Sequence, residues 1–137
     1  MAEIVAFCEH RQDRPTILLV DDAFLMRGVL SEILEDSGLH AIGAASGEEA
    51  VAYLCGPEQI DLVFSDIKMP CADGFALARW IHENRPDIPV ILAGGYPGKA
   101  AIAAQSCGAE FLHKPCSFDL IVTSIREALA RGQAVRA

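Results

Sequence analysis

Short, continuously apolar runs alternate along this chain with segments of helical period, and that alternation constrains the fold most. The runs TILLV (16–20), HAIGAA (40–45), DLVFS (61–65), IPVILA (88–93) and EFLH (110–113) read as strands. A run that is apolar at nearly every position, not every second one, suits a strand covered on both faces. The helical segment over 23–38 places Met26, Val29, Leu30, Ile33 and Leu34 on one stripe, with Gly38 as its stop. The segment over 46–54 opens with Ser46 and has Glu49 three residues on, a capping box. Residues 74–84 predict a helix with Phe75, Leu77, Ala78 and Ile81 inward. An alanine-rich helix is expected over 98–108. A last one is expected over 117–132, capped by Ser117, with Leu120, Ile121, Ile125 and Leu129 inward and an end near Gly132. Five strands and five helices in strict alternation predict an α/β fold. It is a doubly wound parallel sheet with helices on both faces and right-handed crossovers.

With 137 residues the chain suits a single domain, expected over 15–132, with a loose arm at 1–14 and a tail at 133–137. The formal net charge of -8 argues against direct nucleic-acid binding, which needs Lys and Arg for phosphate contacts. No apolar run approaches about 18 residues, so no membrane span is expected. The N-terminal stretch carries Glu3 and Glu9 and does not read as a secretory signal. The cysteines (Cys8, Cys55, Cys71, Cys107 and Cys116) are odd in number and lack CxxC spacing. They read as reduced thiols of a cytoplasmic protein. Cys71, Cys116 and His113 fall near the candidate site, but free cysteines more commonly act as small hydrophobes. His10, His40 and His82 show no ligand spacing, and Trp80 reads as helix packing. Tyr96, in GGYPG, reads as an exposed loop contact.

In an open parallel sheet, ligands bind at the carboxyl ends of the strands. Asp21 and Asp22 follow the first run, Asp66 ends the third, and Lys114 follows the fifth. A carboxylate at the tip of a buried strand has no packing use, because burying it unpaired is costly. Three acids at one edge repel one another. A hard divalent cation resolves the repulsion, and Mg²⁺ favours oxygen ligands of this kind. An ammonium beside them suits a phosphoryl oxygen. Together they read as a phosphoryl-transfer site with Asp66 as nucleophile. Taken singly, each has a plainer reading: Asp66 as a turn residue, Asp22 as a helix cap.

LLVDD with Asp21 and Asp22, LVFSDIKMPCADG with Asp66, Pro70 and Gly74, and GAEFLHKP with Lys114 and Pro115 resemble the receiver domain of two-component response regulators. Asp22 and Asp66 are 44 residues apart, as is usual there. The resemblance covers about Pro15 to Arg131. It implies a flavodoxin-like sandwich and a phosphoacceptor Asp66 that takes its group from a sensor histidine kinase or phosphotransfer protein. It also implies Mg²⁺ on Asp21, Asp22, Asp66 and the backbone carbonyl of Lys68, with Lys114 against the phosphoryl group and the Lys114–Pro115 bond often cis. A downstream protein would contact the surface of the fourth helix, fifth strand and fifth helix.

Two positions depart from the family. The slot after the fourth strand, usually Ser or Thr, holds Gly94, and the aromatic switch position holds Phe111, which cannot donate a hydrogen bond. Coupling of phosphate to the surface is therefore expected to be weakened. Gly94 and Gly95 are expected to leave room above Asp66 and shorten the phosphorylated lifetime, and Ser or Thr at 94 to strengthen the switch. A phosphorylation-independent interaction module is the competing reading. A Mg²⁺-dependent phosphohydrolase would want an acid at Lys68, so the chain is not expected to be a turnover enzyme.

Overall fold

The computed structural model describes residues 14–69, 73–95 and 97–136. Strand β1 (Thr16–Val20) leads to helix α1 (Phe24–Asp36), β2 (His40–Ala44) and α2 (Gly47–Cys55). Then come β3 (Leu62–Asp66), α3 (Gly74–Asn84), β4 (Val90–Gly94), α4 (Pro97–Ser106), β5 (Glu110–His113) and α5 (Phe118–Arg136). The five strands form one parallel sheet in the order β2-β1-β3-β4-β5.

The apolar runs are explained by burial on both sides. Ile17, Leu19, Leu62, Phe64, Ile91 and Ala93 face one core with Leu30 and Leu34 of α1 and Ile121, Ile125 and Leu129 of α5. Leu18, Val20, Val63, Val90 and Leu92 face the other, with Ala50 and Leu54 of α2, Leu77, Ala78 and Ile81 of α3, and Ala104 of α4. Each fully buried Leu or Ile here contributes about 1.5–3 kcal/mol.

The expected cap of α2 is formed, with its reciprocal bond shifted one residue back from the N-cap. Ser46 Oγ accepts from the Glu49 N–H at 3.1 Å, and Glu49 Oε2 accepts from the Ala45 N–H at 3.1 Å. Asp73 caps α3 through the Ala76 N–H at 2.9 Å, and Ser117 accepts from the Leu120 N–H at 3.1 Å. Gly38 ends α1 with φ +85°, a conformation costly for other residues.

Three expectations about helix faces need correction. Met26, Val29 and Leu120 are 44%, 45% and 46% exposed, not inward. Met26 and Leu120 lie in the first turns of α1 and α5, whereas Val29 lies a turn further along α1, next to the buried Leu30 but off the inward face. Nor does Gly132 stop α5, which runs on to Arg136. Of the expected arm at 1–14, residues 1–13 lie outside the described residues, as do Pro70, Cys71 and Tyr96, while Arg14 is held by Glu35, Nη2 to Oε1 at 2.7 Å. No helix among the described residues is long and apolar enough to cross a membrane.

Candidate functional site

The strand order decides where the polar residues meet. The chain passes from β1 outward to β2, then returns across β1 to β3. The carboxyl ends of β1 and β3 therefore lie side by side at a switch in strand order, where open α/β sheets bind ligands. Asp21 and Asp22 follow β1 there, and Asp66 closes β3. Carboxylate oxygens of the three lie within 4.8 Å of one another. Lys114 reaches in from the end of β5, and its Nζ is 3.1 Å from Asp66 Oδ1. The Lys114–Pro115 peptide is cis. Across β4, Ala93 leaves space for that reach and lines the same cleft as Asp66 and Lys114.

The backbone around Asp66 is packed tightly. A Cβ on Gly74 would come 2.6 Å from the Asp66 carbonyl oxygen, so only glycine lets the start of α3 close on this strand end. The Gly74 N–H donates to the Ile67 carbonyl at 2.8 Å.

Asp21 is pinned at its backbone N–H, its backbone carbonyl and one carboxylate oxygen. Its N–H donates to the Ala44 carbonyl at 3.1 Å. One carboxylate oxygen accepts from the Ala23 N–H at 2.9 Å, and its carbonyl accepts from Arg27 Nη1 at 2.7 Å. Burial pushes its carboxyl pKa up from the ordinary value. The Ala23 N–H and the Lys114 ammonium pull the other way, while the charges of Asp66 and Asp22 add to the rise. A buried acid destabilised by two like charges is what a bound cation relieves. The all-oxygen donor set also fits Mg²⁺.

Asp22 is exposed and does not cap α1, whose N-cap is Ala23 with no side-chain bond. Lys68 is exposed and borders a shallow hollow with Asp22, Ile67, Met69 and Asp73. A deeper cleft of about 370 Å³ opens on the other side, with Met26, Leu30, Cys116, Phe118 and Ile121 as apolar walls.

Gly94 closes β4, and Phe111 is half-buried against the α2–α3–α4 core. The space at Gly94 is not empty: a Cβ there would come 2.8 Å from Ile67 Cδ1. The expected room at this slot is taken by Ile67, whereas Gly95 faces open space. Ile67 is one residue the sequence reading missed. Arg27 is another. His113, expected near the site beside Cys71 and Cys116, turns out to donate from Nε2 to the Gly95 carbonyl at 3.0 Å. Arg27 carried a faint signal, six residues after Asp21 on a helix that starts beside it. The Ile67–Gly94 contact carried none.

Residues 17–126 match the model of the response regulator receiver domain family. The chain is 37% identical over 123 residues to the C4-dicarboxylate transport transcriptional regulatory protein DctD of Rhizobium meliloti, covering 88% of this chain and 26% of that protein. It is 34% identical over 122 residues to the DNA-binding transcriptional regulator NtrC of Salmonella typhimurium, again covering 88% and 26%. The chain thus spans about a quarter of the length of these curated relatives. A CheY-like receiver domain from Methanospirillum hungatei superposes with a TM-score of 0.83 at 27% identity, over 89% of this chain and 98% of that one.

Proposed function

This chain belongs to the response regulator receiver domain family, and on that premise we propose that it accepts a phosphoryl group on Asp66 from a phosphohistidine of a sensor kinase or phosphotransfer protein. The observation that carries the reading is the convergence of three carboxylates within 4.8 Å, with the Lys114 ammonium 3.1 Å from Asp66. An Asp66 carboxylate oxygen attacks phosphorus, the P–O bond forms as the P–N bond breaks, and the imidazole leaves with the electron pair. Asp21, Asp22, Asp66 and the Lys68 carbonyl would hold Mg²⁺. When bound, the ion offsets the charge on the phosphoryl oxygens. Lys114 exchanges its contact with Asp66 Oδ1 for one with a phosphoryl oxygen.

The site edge suits a protein donor. Phe24 and Leu25 are 75% and 80% exposed at the start of α1, beside Asp22. An apolar patch at the mouth of a charged site favours docking of a partner surface. Output passes by protein contact, through the face of α4, β5 and α5, where Ile102 is exposed. Alternatively, the group is handed on or drained in a relay. We assign the protein to the cytoplasm, where kinases and reduced thiols are found.

Incubation with Mg²⁺ and a small-molecule phosphodonor, followed by intact mass measurement, tests this. Wild type should gain one phosphoryl group and Asp66→Asn none. Labelling that survives in Asp66→Asn, or no labelling of wild type, would refute it. A phosphorylation-independent interaction module is the second reading, favoured by Gly94 and by Ile67 filling the slot beside it. It predicts partner binding that is indifferent to phosphorylation.

A further inference from the structure

The reactions proposed above do not use Arg27, yet its placement is specific. It lies one turn into α1, with its Nη1 2.7 Å from the Asp21 carbonyl oxygen. Its aliphatic stem lies across β2 at Gly43. A Cβ there would come 3.1 Å from Arg27 Cδ, 3.2 Å from Nε and 3.3 Å from Cγ. That is tighter than ordinary carbon contacts, so the glycine forms the seat for the stem. On the outer side, the guanidinium lies 5.7 Å from the centroid of the exposed Phe24 ring, a cation–π distance. Seat, ring and hydrogen bond together fix the guanidinium at one point.

That point is the peptide joining the two acids of the pair. The Asp21 carbonyl and the Asp22 N–H belong to one planar unit. Holding the carbonyl therefore sets the plane from which both carboxylates depart. The Asp21 carboxylate is separately fixed by the Ala23 N–H at 2.9 Å, but the exposed Asp22 side chain has no such tether among the described hydrogen bonds. We propose that Arg27, seated on Gly43, is a positioning residue that preorganises the Asp21–Asp22 pair for the cation. It touches neither the cation nor the phosphoryl group. This inference rests on the metal-binding part of the receiver reading.

Partners one step removed from a metal ligand typically change metal affinity by 10–100-fold when removed. Mg²⁺ titration of the unphosphorylated protein, followed by NMR shifts of the Asp21–Ala23 amides, measures this without any phosphodonor. Arg27→Met should weaken Mg²⁺ binding about tenfold. Arg27→Lys, which keeps a donor and a stem, should recover part of that loss. Gly43→Ala should weaken binding by displacing the stem while keeping the arginine. In phosphodonor assays, the Mg²⁺ concentration for half-maximal rate should rise, and the rate at saturating Mg²⁺ should stay close to wild type. A purely structural arginine would lower the urea midpoint and leave the Mg²⁺ constant alone. Equal Mg²⁺ affinity in wild type, Arg27→Met and Gly43→Ala would overturn the inference. Absence of Mg²⁺ binding by the wild type would overturn the receiver chemistry itself.

Discussion

Gly94 and Ile67 make an energetic pair that a double-mutant cycle can measure. Gly94 does not have a positive φ, so its backbone accepts alanine. The obstacle is Ile67 Cδ1, 2.8 Å from the position of the new Cβ, while Ile67 Cγ1 and Cβ lie at an ordinary 3.5 and 3.6 Å. Carbon atoms prefer about 3.5–4.0 Å, so Cδ1 must retreat by roughly 0.7 Å. Overpacking of this kind costs about 1–3 kcal/mol. Restricting the unfolded chain returns about 0.4–1 kcal/mol. Gly94→Ala alone should therefore destabilise by roughly 1 kcal/mol. Ile67→Val deletes the one atom in the way. Because Ile67 is half-buried, that change should cost no more than about 1 kcal/mol. In the Ile67→Val background, alanine at 94 becomes neutral or mildly stabilising. The two changes should thus couple favourably by about 1–2 kcal/mol. Urea unfolding of the four proteins in the absence of metal reads this directly, provided the m-values agree. Additivity within about 0.5 kcal/mol would refute the packing account. The same steric logic revises the expectation for serine: Gly94→Ser should strengthen a phosphate-dependent switch more when combined with Ile67→Val than alone.

Two further outcomes follow from the geometry. Asp21 has a raised carboxyl pKa, so its contribution to stability is full below the ordinary carboxylate value and lost as pH rises through the raised one. Asp21→Asn should therefore unfold at higher urea than metal-free wild type at neutral pH, with the gap closing in acid, and Mg²⁺ should no longer stabilise it. Ser46→Ala removes the cap that accepts the Glu49 N–H. It should cost about 1 kcal/mol by thermal unfolding and leave phosphoryl labelling intact.

The strands and the acid–lysine constellation were legible because both are local signals. A run such as TILLV reports burial on two faces, and strand ends follow from the runs. Once the sheet is parallel, Asp21, Asp22, Asp66 and Lys114 must fall on one edge. The exposure of Met26 and Leu120 was not legible. Helical period tells which side of a helix faces the sheet, but not how far the sheet extends beneath it. The first turns of α1 and α5 overhang the carboxyl edge, and Met26 and Phe118 wall a cleft there instead of filling a core. The end of α5 was misread because glycine stops a helix only where the chain turns left-handed. Gly38 and Gly108 do so, with φ of +85° and +76°, and Gly132 does not. The seats of Ile67 on Gly94 and of Arg27 on Gly43 depend on strand register, which no sequence window contains.

On the proposed reading, a receiver without a hydroxyl at position 94 would connect its site to its surface by other atoms, and the contacts at the ends of β4 and β5 narrow the choice. The ends of β4 and β5 are tied by the Lys114 N–H to the Gly94 carbonyl at 2.7 Å and by His113 Nε2 to the Gly95 carbonyl at 3.0 Å. A carbonyl can only accept, so His113 carries its proton on Nε2. Both ties run through one dipeptide, and Lys114 is also the residue whose ammonium holds Asp66. On the proposed chemistry, moving that ammonium from a carboxylate oxygen to a phosphoryl oxygen pulls on the same backbone that restrains Gly94 and Gly95. Each tie is worth about 0.5–1.5 kcal/mol. Altering both would then shift the β4–β5 edge by about 1–3 kcal/mol, roughly 5- to 150-fold in population, since 1.4 kcal/mol is tenfold. That is enough for a graded response and well short of the roughly 10⁴-fold preference that a complete two-state switch requires.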